Sequence, residues 1–547
     1  MRVVIVGGVA GGMSAAARLR RLDAKAEIIV LERSGNVSYA NCGLPYYVGG
    51  VIQNEEALLL QTPASLHRRF RLDVHVNTEV VEINRSAREV TAVDHMKGEQ
   101  FKLSYDKLIL SPGAAPVRPP IPGIERAMSL RTVEDVFVMA DSVKKSPKSA
   151  VIIGGGFIGL ELAENFRHRD IATTVIEATN QVMTPLDPEM VTFVHAELRK
   201  HGVNLQLSNQ VTEIKKDSVV TSNGNEIPAD VVIAAIGVKP EVGLAKSAGL
   251  NIGPRGGIQV NNFNQTTDPD IYALGDAAEK IDSLDGSATL VPLANIANRH
   301  GRIIADHITG KKIREVTTQA TAIVKVFDLT VATTGWNEKK LKAAGRDFVI
   351  IHTHPSSHAG YYPGAKGMSL KIMVDKKTHA ILGAEGVGFE GVDKRIDVIA
   401  TAMRGGITAP ELADLELAYA PPFGSAKDPV NMLGYISENV LSGITPTVQW
   451  NEVNDLVAKG WTVVDVRSKG EFDRGHIPNS INISIDEMRE RINEVPKEKI
   501  LVTCQVGQRG HAATRLLREL GYNAVNLDGG YMTWSNSPAN EKEKVNV

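Results

Sequence analysis

Two stretches of this chain repeat one design, and together they restrict the fold more than any other feature. Val3-Val-Ile-Val-Gly7-Gly8-Val9-Ala10-Gly11-Gly12 leads into Met13-Ser-Ala-Ala-Ala-Arg. Ala150-Val-Ile-Ile-Gly154-Gly-Gly156-Phe157-Ile158-Gly159 leads into Leu160–Phe166. A short apolar run, a glycine turn and a run of helix formers read as strand, loop and helix. Backbone N–H groups at such a turn, with the helix dipole behind them, face a phosphate. The second loop has glycine at all three positions of G-x-G-x-x-G, whereas Val9 replaces the middle one in the first. Each loop is followed by a carboxylate at the end of the next strand: Glu32, 20 residues past Gly12, and Glu177, 18 past Gly159. A carboxylate placed there accepts both hydroxyls of a ribose. Glu177 repels a 2′-phosphate and no Arg directly follows it, so the second unit is expected to take NADH rather than NADPH.

At about 150 residues per domain, 547 residues predict three to four domains. Apolar strands alternate with helical stretches up to about residue 180, the pattern of parallel α/β units. From Thr321 the text changes. Thr321–Gly335 and Ser369–Gly383 alternate apolar and polar residues, as antiparallel strands do. Gly391–Arg404 reads as a helix, Ser442-Gly-Ile-Thr-Pro446 as a linker, and Val448 to Trp534 as a further small α/β unit. The tail Glu541-Lys-Glu-Lys is expected to fray. Lys+Arg of 61 against Asp+Glu of 63 leaves a net charge of −2, so no basic field suits nucleic acid. No apolar run approaches the roughly 18 residues of a membrane span. Two cysteines exclude a disulfide scaffold, no metal site is expected, and the expected compartment is a reducing cytoplasm.

A third motif ties the two loops together. Thr266-Thr-Asp-Pro-Asp-Ile-Tyr-Ala-Leu-Gly275-Asp276 resembles the strand that closes the FAD site of flavin-dependent disulfide reductases, where the Asp holds a ribityl hydroxyl. The resemblance extends from Met1 to about Ser442. It implies two Rossmann-like dinucleotide-binding domains of glutathione-reductase type and an α+β dimerisation domain, followed by the C-terminal α/β unit. The implied limits are 1–112 and 246–320 for the two parts of the FAD-binding domain, 113–245 for the NAD-binding domain, 321–442 for the interface domain and 447–540 for the last domain. FAD is then expected at Gly7, Gly8, Ala10, Gly11, Gly12, Glu32, Arg33, Asn41, Cys42, Pro112, Gly113, Gly275, Asp276, Pro292 and Ala294. NADH is expected at Gly154, Gly156, Phe157, Ile158, Gly159, Glu177 and Gly237.

Asn41-Cys42-Gly43-Leu-Pro-Tyr resembles the segment those reductases place beside the flavin. Glutathione-reductase-type members carry a second cysteine five residues on, where Tyr47 stands here, so Cys42 has no local disulfide partner. A lone thiol at that place has two uses: a sulfenate cycle, as in NADH peroxidases and oxidases, or a mixed disulfide with a small thiol. NADH peroxidases carry a His where Ala10 stands. Ser14, Arg18 and Arg21 fall on one face of the first helix, and Ser38 and Asn41 flank the cysteine. These five resemble the substrate contacts of coenzyme A disulfide reductases, with Arg71, Asn298 (beside Arg299) and Lys427 as further contacts. Tyr361 and Tyr419 resemble the paired tyrosines that reach the cysteine of the opposite subunit, which implies a homodimer with Tyr361, Tyr419 and Lys427 acting across the interface.

Val463-Val-Asp465-Val-Arg467, Glu471-Phe-Asp-Arg-Gly475-His and Val502-Thr-Cys504-Gln505-Val506-Gly507-Gln508-Arg509 resemble a rhodanese domain. There Cys504 opens a five-residue loop that closes at Arg509 onto a helix, and its N–H groups form a nest for a persulfide anion. The combination resembles coenzyme A disulfide reductase–rhodanese fusions, also called NADH-dependent persulfide reductases. That resemblance implies reduction of coenzyme A persulfide, polysulfide or coenzyme A disulfide through a Cys42–coenzyme A mixed disulfide, with Cys504 carrying sulfane sulfur. Two alternatives stay open at this point: an NADH oxidase or peroxidase working through a Cys42 sulfenate, and a sulfurtransferase with a redox-sensing flavoprotein scaffold.

Overall fold

Five parallel strands carry the first glycine loop in the computed structural model, which describes residues 1–540. Their order is Ile271–Ala273, Lys107–Leu110, Arg2–Val6, Glu27–Leu31 and Asp73–His75. The central ones are apolar on both faces, as a parallel sheet covered on both sides requires. The helix Ala10–Leu22 covers the sheet with Met13, Ala15, Ala16 and Leu19. It packs closely on the helix Ala294–Ile308 because Gly301 has no side chain: a Cβ there would stand 2.4 Å from the Gly11 carbonyl. A four-stranded parallel sheet, ordered Asn204–Gln206, Ala172–Ile176, Ser149–Ile153 and Val231–Ala234, repeats the arrangement around the second loop. Both helices begin earlier than the sequence suggests, at Ala10 and Phe157 rather than Met13 and Leu160, because the chain turns helical directly out of the glycine loop.

The expectation of parallel units alone up to residue 180 is corrected by an antiparallel meander, Thr78–Asn84, Glu89–Asp94 and Glu99–Ser104. Its outer strands are only half-buried and alternate imperfectly, whereas Val90, Thr91 and Ala92 of the middle strand are buried in succession. A second meander spans Val211–Ile214, Ser218–Thr221 and Glu226–Pro228.

The chain divides into two compact units, Met1–Val182 with His201–Ala320, and Met183–Lys200 with the chain from Thr321 onward. The second unit therefore contains the helix Pro188–Lys200, which the sequence reading keeps within the 113–245 domain. Its centre is an antiparallel sheet ordered Ala322–Val326, Leu329–Gly335, Ile381–Gly388, Met368–Asp375 and Phe348–Thr353. The helix Val392–Gly405, capped by Gly391, and the helix Pro429–Leu441 pack on it. A second sheet, all parallel, is ordered Thr447–Val448, Ala524–Leu527, Ile500–Thr503, Thr462–Asp465 and Ile481–Asn482. The tail expected to fray, Glu541–Lys544, lies outside the described residues. Among the described residues no helix is long and apolar enough to cross a membrane.

Candidate active site

The two glycine loops have the same construction. Gly7 (φ +100°) and Gly154 (φ +107°) have left-handed backbones, and a Cβ on either would stand 2.1 Å from the Ser111 carbonyl or 2.4 Å from that of Ala235. A Cβ on Gly12 or Gly159 would lie 2.0 or 2.1 Å from the carbonyl of Gly7 or Gly154, so only glycine lets each helix start against its strand. The carboxylates match too. Glu32 accepts from the N–H of Gly8 (2.7 Å) and of Ser34 (2.8 Å). Glu177 accepts from Gly155 (2.8 Å) and Thr179 (2.9 Å). Above Gly156, Gly113 and Gly237 nothing stands within 4 Å of where a Cβ would be, which leaves backbone open to a ligand.

Asp276 sits in the turn Gly275–Ala277 that ends the strand Ile271–Ala273. Burial raises its pKa against the pull of Lys280 and Arg131. Lys280, buried and donating to the carbonyls of Gly275 and Ala278, is lowered by burial to about 8. Together the first glycine loop, Glu32 and a half-buried acid at the end of the strand fit a flavin dinucleotide. The second loop with Glu177 fits an unphosphorylated nicotinamide dinucleotide. Arg33 is exposed, 3.7 Å from Glu79 and 3.9 Å from Glu241.

Cys42 lies in the turn Asn41–Gly43, on the wall of a pocket of about 570 Å³. The pocket brings together Ala10, Ser14, Arg18, Arg21, Ser38, Asn41, Cys42, Ala294 and Asn298. The Ser14 hydroxyl donates to Asn298 across 2.7 Å, and Arg18 pairs with Asp306 at 2.7 Å. Arg71 is not among the lining residues; it closes the helix Pro63–Phe70 in a left-handed conformation and its carbonyl accepts from Arg20. Further lining residues escape the sequence reading, among them Met13, Leu60 and Arg302. Arg302 lies one helical turn past Asn298, so its spacing alone could have found it. Desolvation by the pocket walls, then the carboxylates of Glu161 and Asp276, push the Cys42 thiol up. Glu161, missed by the sequence reading, accepts from the Tyr46 hydroxyl at 3.4 Å and is raised to about 7 by burial.

In the second unit the Tyr361 and Tyr419 hydroxyls meet at 3.0 Å while the rings stay 77% and 47% exposed. Phe423 is exposed beside them in the sequence, and the Lys427 ammonium lies 5.7 Å from the Tyr435 ring. Cys504 follows the strand Ile500–Thr503 and is buried. Its loop is shorter than expected. Gly507 (φ +92°) turns the chain and the helix Gln508–Glu519 begins at once, so Gln508 and Arg509 belong to the first helical turn rather than to the loop. The Arg509 guanidinium holds Glu471 at 2.6 and 2.8 Å and depresses that carboxyl to about 2. Arg467, paired with buried Asp465 at 2.7 Å, donates to the Gln505 side chain at 3.1 Å.

Two dinucleotide loops and a pocket thiol in one unit, with a buried thiol at a strand-to-helix turn in the other, define a nucleotide-dependent thiol oxidoreductase joined to a second α/β domain. Residues 1–301 match the pyridine nucleotide-disulphide oxidoreductase family and residues 321–429 its dimerisation domain, and the chain belongs to that family. Residues 449–537 match the rhodanese-like domain. Among solved structures, the chain is similar to reduced CoADR-RHD of Bacillus anthracis: 47% identity, 98% of each chain covered, TM-score 0.96. It is also similar to an NAD-dependent persulfide reductase from A. fulgidus, with 39% identity over 98% of this chain and 100% of that one, and a TM-score of 0.92. A coenzyme A disulfide reductase of Staphylococcus epidermidis is 34% identical over 436 residues, 79% of this chain and 99% of that protein.

Proposed function

We propose that this chain is an NADH-dependent, FAD-containing reductase of coenzyme A disulfide and of coenzyme A persulfide or polysulfide. The observation that carries the reading is Cys42, an unpartnered thiol on a pocket that also holds Arg18, Arg21 and Arg302. Guanidinium groups with Ser14 and Asn298 suit the phosphates and amides of coenzyme A. FAD, when bound, supplies the transfer of two electrons from NADH to a sulfur–sulfur bond. The chain's residues do the rest. The Cys42 thiolate attacks one sulfur of coenzyme A disulfide, that S–S bond breaks, and one coenzyme A leaves as thiolate. The other stays on Cys42 as a mixed disulfide, whose reduction returns the Cys42 thiolate and a second coenzyme A thiol. With coenzyme A persulfide, the Cys42 thiolate attacks the inner, coenzyme A-borne sulfur, the S–S bond breaks, hydrosulfide leaves and the same mixed disulfide forms on Cys42.

Tyr361, Tyr419 and Lys427 are proposed to serve the Cys42 of the partner subunit, a role supported by the matched dimerisation domain and by the exposed pair of phenols. Cys504 is proposed to carry sulfane sulfur, supported by the matched rhodanese-like domain. The domain limits at 112, 245, 320 and 442–447 belong to the same proposal. Cys42→Ser tests it. The variant should keep FAD and lose NADH-driven reduction of coenzyme A disulfide and polysulfide; turnover at the wild-type rate would overturn the reading.

A further inference from the structure

Four buried groups outside the described chemistry, Lys371, Glu189, His352 and Asp528, form a chain through the second unit. Lys371 is fully buried, and its ammonium contacts Asp187 at 2.8 Å, Glu189 at 2.6 Å and Glu338 at 2.9 Å. Glu189 in turn accepts from His352 Nε2 at 3.0 Å. His352 Nδ1 reaches Asp528 at 2.7 Å, and the His352 backbone N–H donates to the same carboxylate at 3.0 Å. His352 belongs to the antiparallel sheet, whereas Asp528 ends a strand of the rhodanese-like domain. Burial opposes a charge on His352, but hydrogen bonds to Asp528 and Glu189 outweigh it together and raise its pKa to about 9.

Asp528 begins the turn that holds the Cys504 loop from behind. Gly529 (φ +65°) and Gly530 (φ +63°) follow it. A Cβ on Gly529 would lie 2.9 Å from the His352 Cβ, and one on Gly530 would lie 2.4 Å from the Cys504 carbonyl. The next two N–H groups support the loop directly: Tyr531 donates to the Cys504 carbonyl at 2.7 Å and Met532 to that of Gln505 at 2.9 Å. One contiguous set of contacts thus runs from the interface sheet to the backbone that carries the second thiol.

We propose that His352 is a positioning residue for sulfur transfer at Cys504, acting through Asp528 and the Gly529–Met532 turn. The inference rests on Cys504 as the sulfur carrier. In that reaction the Cys504 thiolate attacks the sulfane sulfur of thiosulfate, the S–S bond breaks and sulfite leaves. Cyanide then takes the outer sulfur as thiocyanate and returns the thiolate. The loop N–H groups must face the persulfide throughout, so a displaced turn slows the transfer without touching donor recognition.

The experiment uses full-length, FAD-loaded protein and measures thiosulfate–cyanide transfer beside NADH-driven reduction of coenzyme A disulfide. His352→Gln cannot donate to both carboxylates. It should lower the sulfur-transfer kcat roughly tenfold or more, leave the thiosulfate KM within about threefold, and leave coenzyme A disulfide reduction within about twofold. Adding Asp528→Asn to His352→Gln restores a matched set of donors and acceptors. The amide introduced at position 528 donates to the carbonyl of the one at position 352, whose own NH2 donates to Glu189. The double variant should therefore recover most of the lost kcat. An unchanged kcat in the single variant overturns the proposal. So does a loss that the double variant fails to recover, since a merely structural role predicts that. If His352→Gln fails to hold FAD, Asp528→Ala takes its place with the same expected loss. Cys504→Ser is the control for the underlying reading: if it retains transfer, Cys504 is not the carrier, whatever His352 does.

Discussion

The two oxygens of Glu177 are already held apart before any nucleotide arrives, one by Gly155 and the other by Thr179. In the proposed NADH site, this carboxylate is where negative charge meets the adenosine ribose. A 2′-phosphate brought there would face a carboxylate, and like charges at contact cost several kcal/mol. kcat/KM for NADH should exceed that for NADPH by about 10- to 100-fold, and Glu177→Ala should shrink the ratio in steady-state assays. Equal values for the wild type would place the ribose elsewhere. Glu161 gives a second expectation at this scale. It is the largest electrostatic contributor to the raised Cys42 pKa, after desolvation. Glu161→Gln should therefore let Cys42 ionise at lower pH. Iodoacetamide labelling followed across pH, with Cys42 identified by peptide mass, should show the profile displaced downward; an unmoved profile would dismiss the carboxylate.

The turn carrying Cys42 and the segments carrying Tyr361 and Tyr419 belong to different units, and the phenols are exposed. Exposed aromatics joined by a hydrogen bond suit contact with a second subunit. Changing Tyr361 and Tyr419 together to Phe should slow disulfide turnover on the order of 10²-fold while flavin reduction by NADH keeps its rate. Stopped-flow traces unchanged in both half-reactions would assign the pair to packing.

Elements were legible in the sequence wherever a glycine or an apolar run repeats at a fixed spacing. The loops at Gly7 and Gly154, the strand before Cys504 and the helix after Gly391 all follow from such local patterns. The meander Thr78–Ser104 was not legible, because short half-buried strands leave only a weak alternation. The pocket was legible where resemblance pointed, at Ser14, Arg18 and Asn298. Glu161 was not, because it lies 119 residues beyond Cys42 and only the folding of two domains brings them near. The Cys504 loop was read two residues too long, since no periodicity marks where a helix begins after a left-handed glycine.

At the scale of the whole molecule, neighbouring buried histidines act in opposite directions. His352 is raised from 6.5 to about 9, so its contribution to stability is full below about pH 6.5 and is lost as pH rises through 9. His354, buried with its ring bonded to Ser369 and Thr533, is lowered by burial to about 3. It stays neutral when folded, so stability is lost as pH falls below 6.5, where the unfolded chain takes up a proton. Each slope approaches about 1.4 kcal/mol per pH unit. These two groups together therefore favour the fold most near pH 6.5, and His352→Gln should flatten the alkaline side of the Tm profile relative to the wild type. An alkaline limb no flatter in the variant than in the wild type would contradict the assignment.

The 13-residue helix Pro188–Lys200 bears on how a gene of this kind can be cut and rejoined. Its Asp187 and Glu189 neighbourhood is neutralised by Lys371, encoded more than 180 codons downstream. A breakpoint at residue 320 would look harmless on a domain map, yet it would leave those acids without their cation, and a buried charge stripped of its partner costs about 3–5 kcal/mol. Recombination with a relative would succeed only when the exchanged piece brought matching residues for positions 187, 189 and 371 together. The stretch from 183 to 200 would thus have to travel with the carboxyl-terminal half of the gene, although it is written in the amino-terminal half.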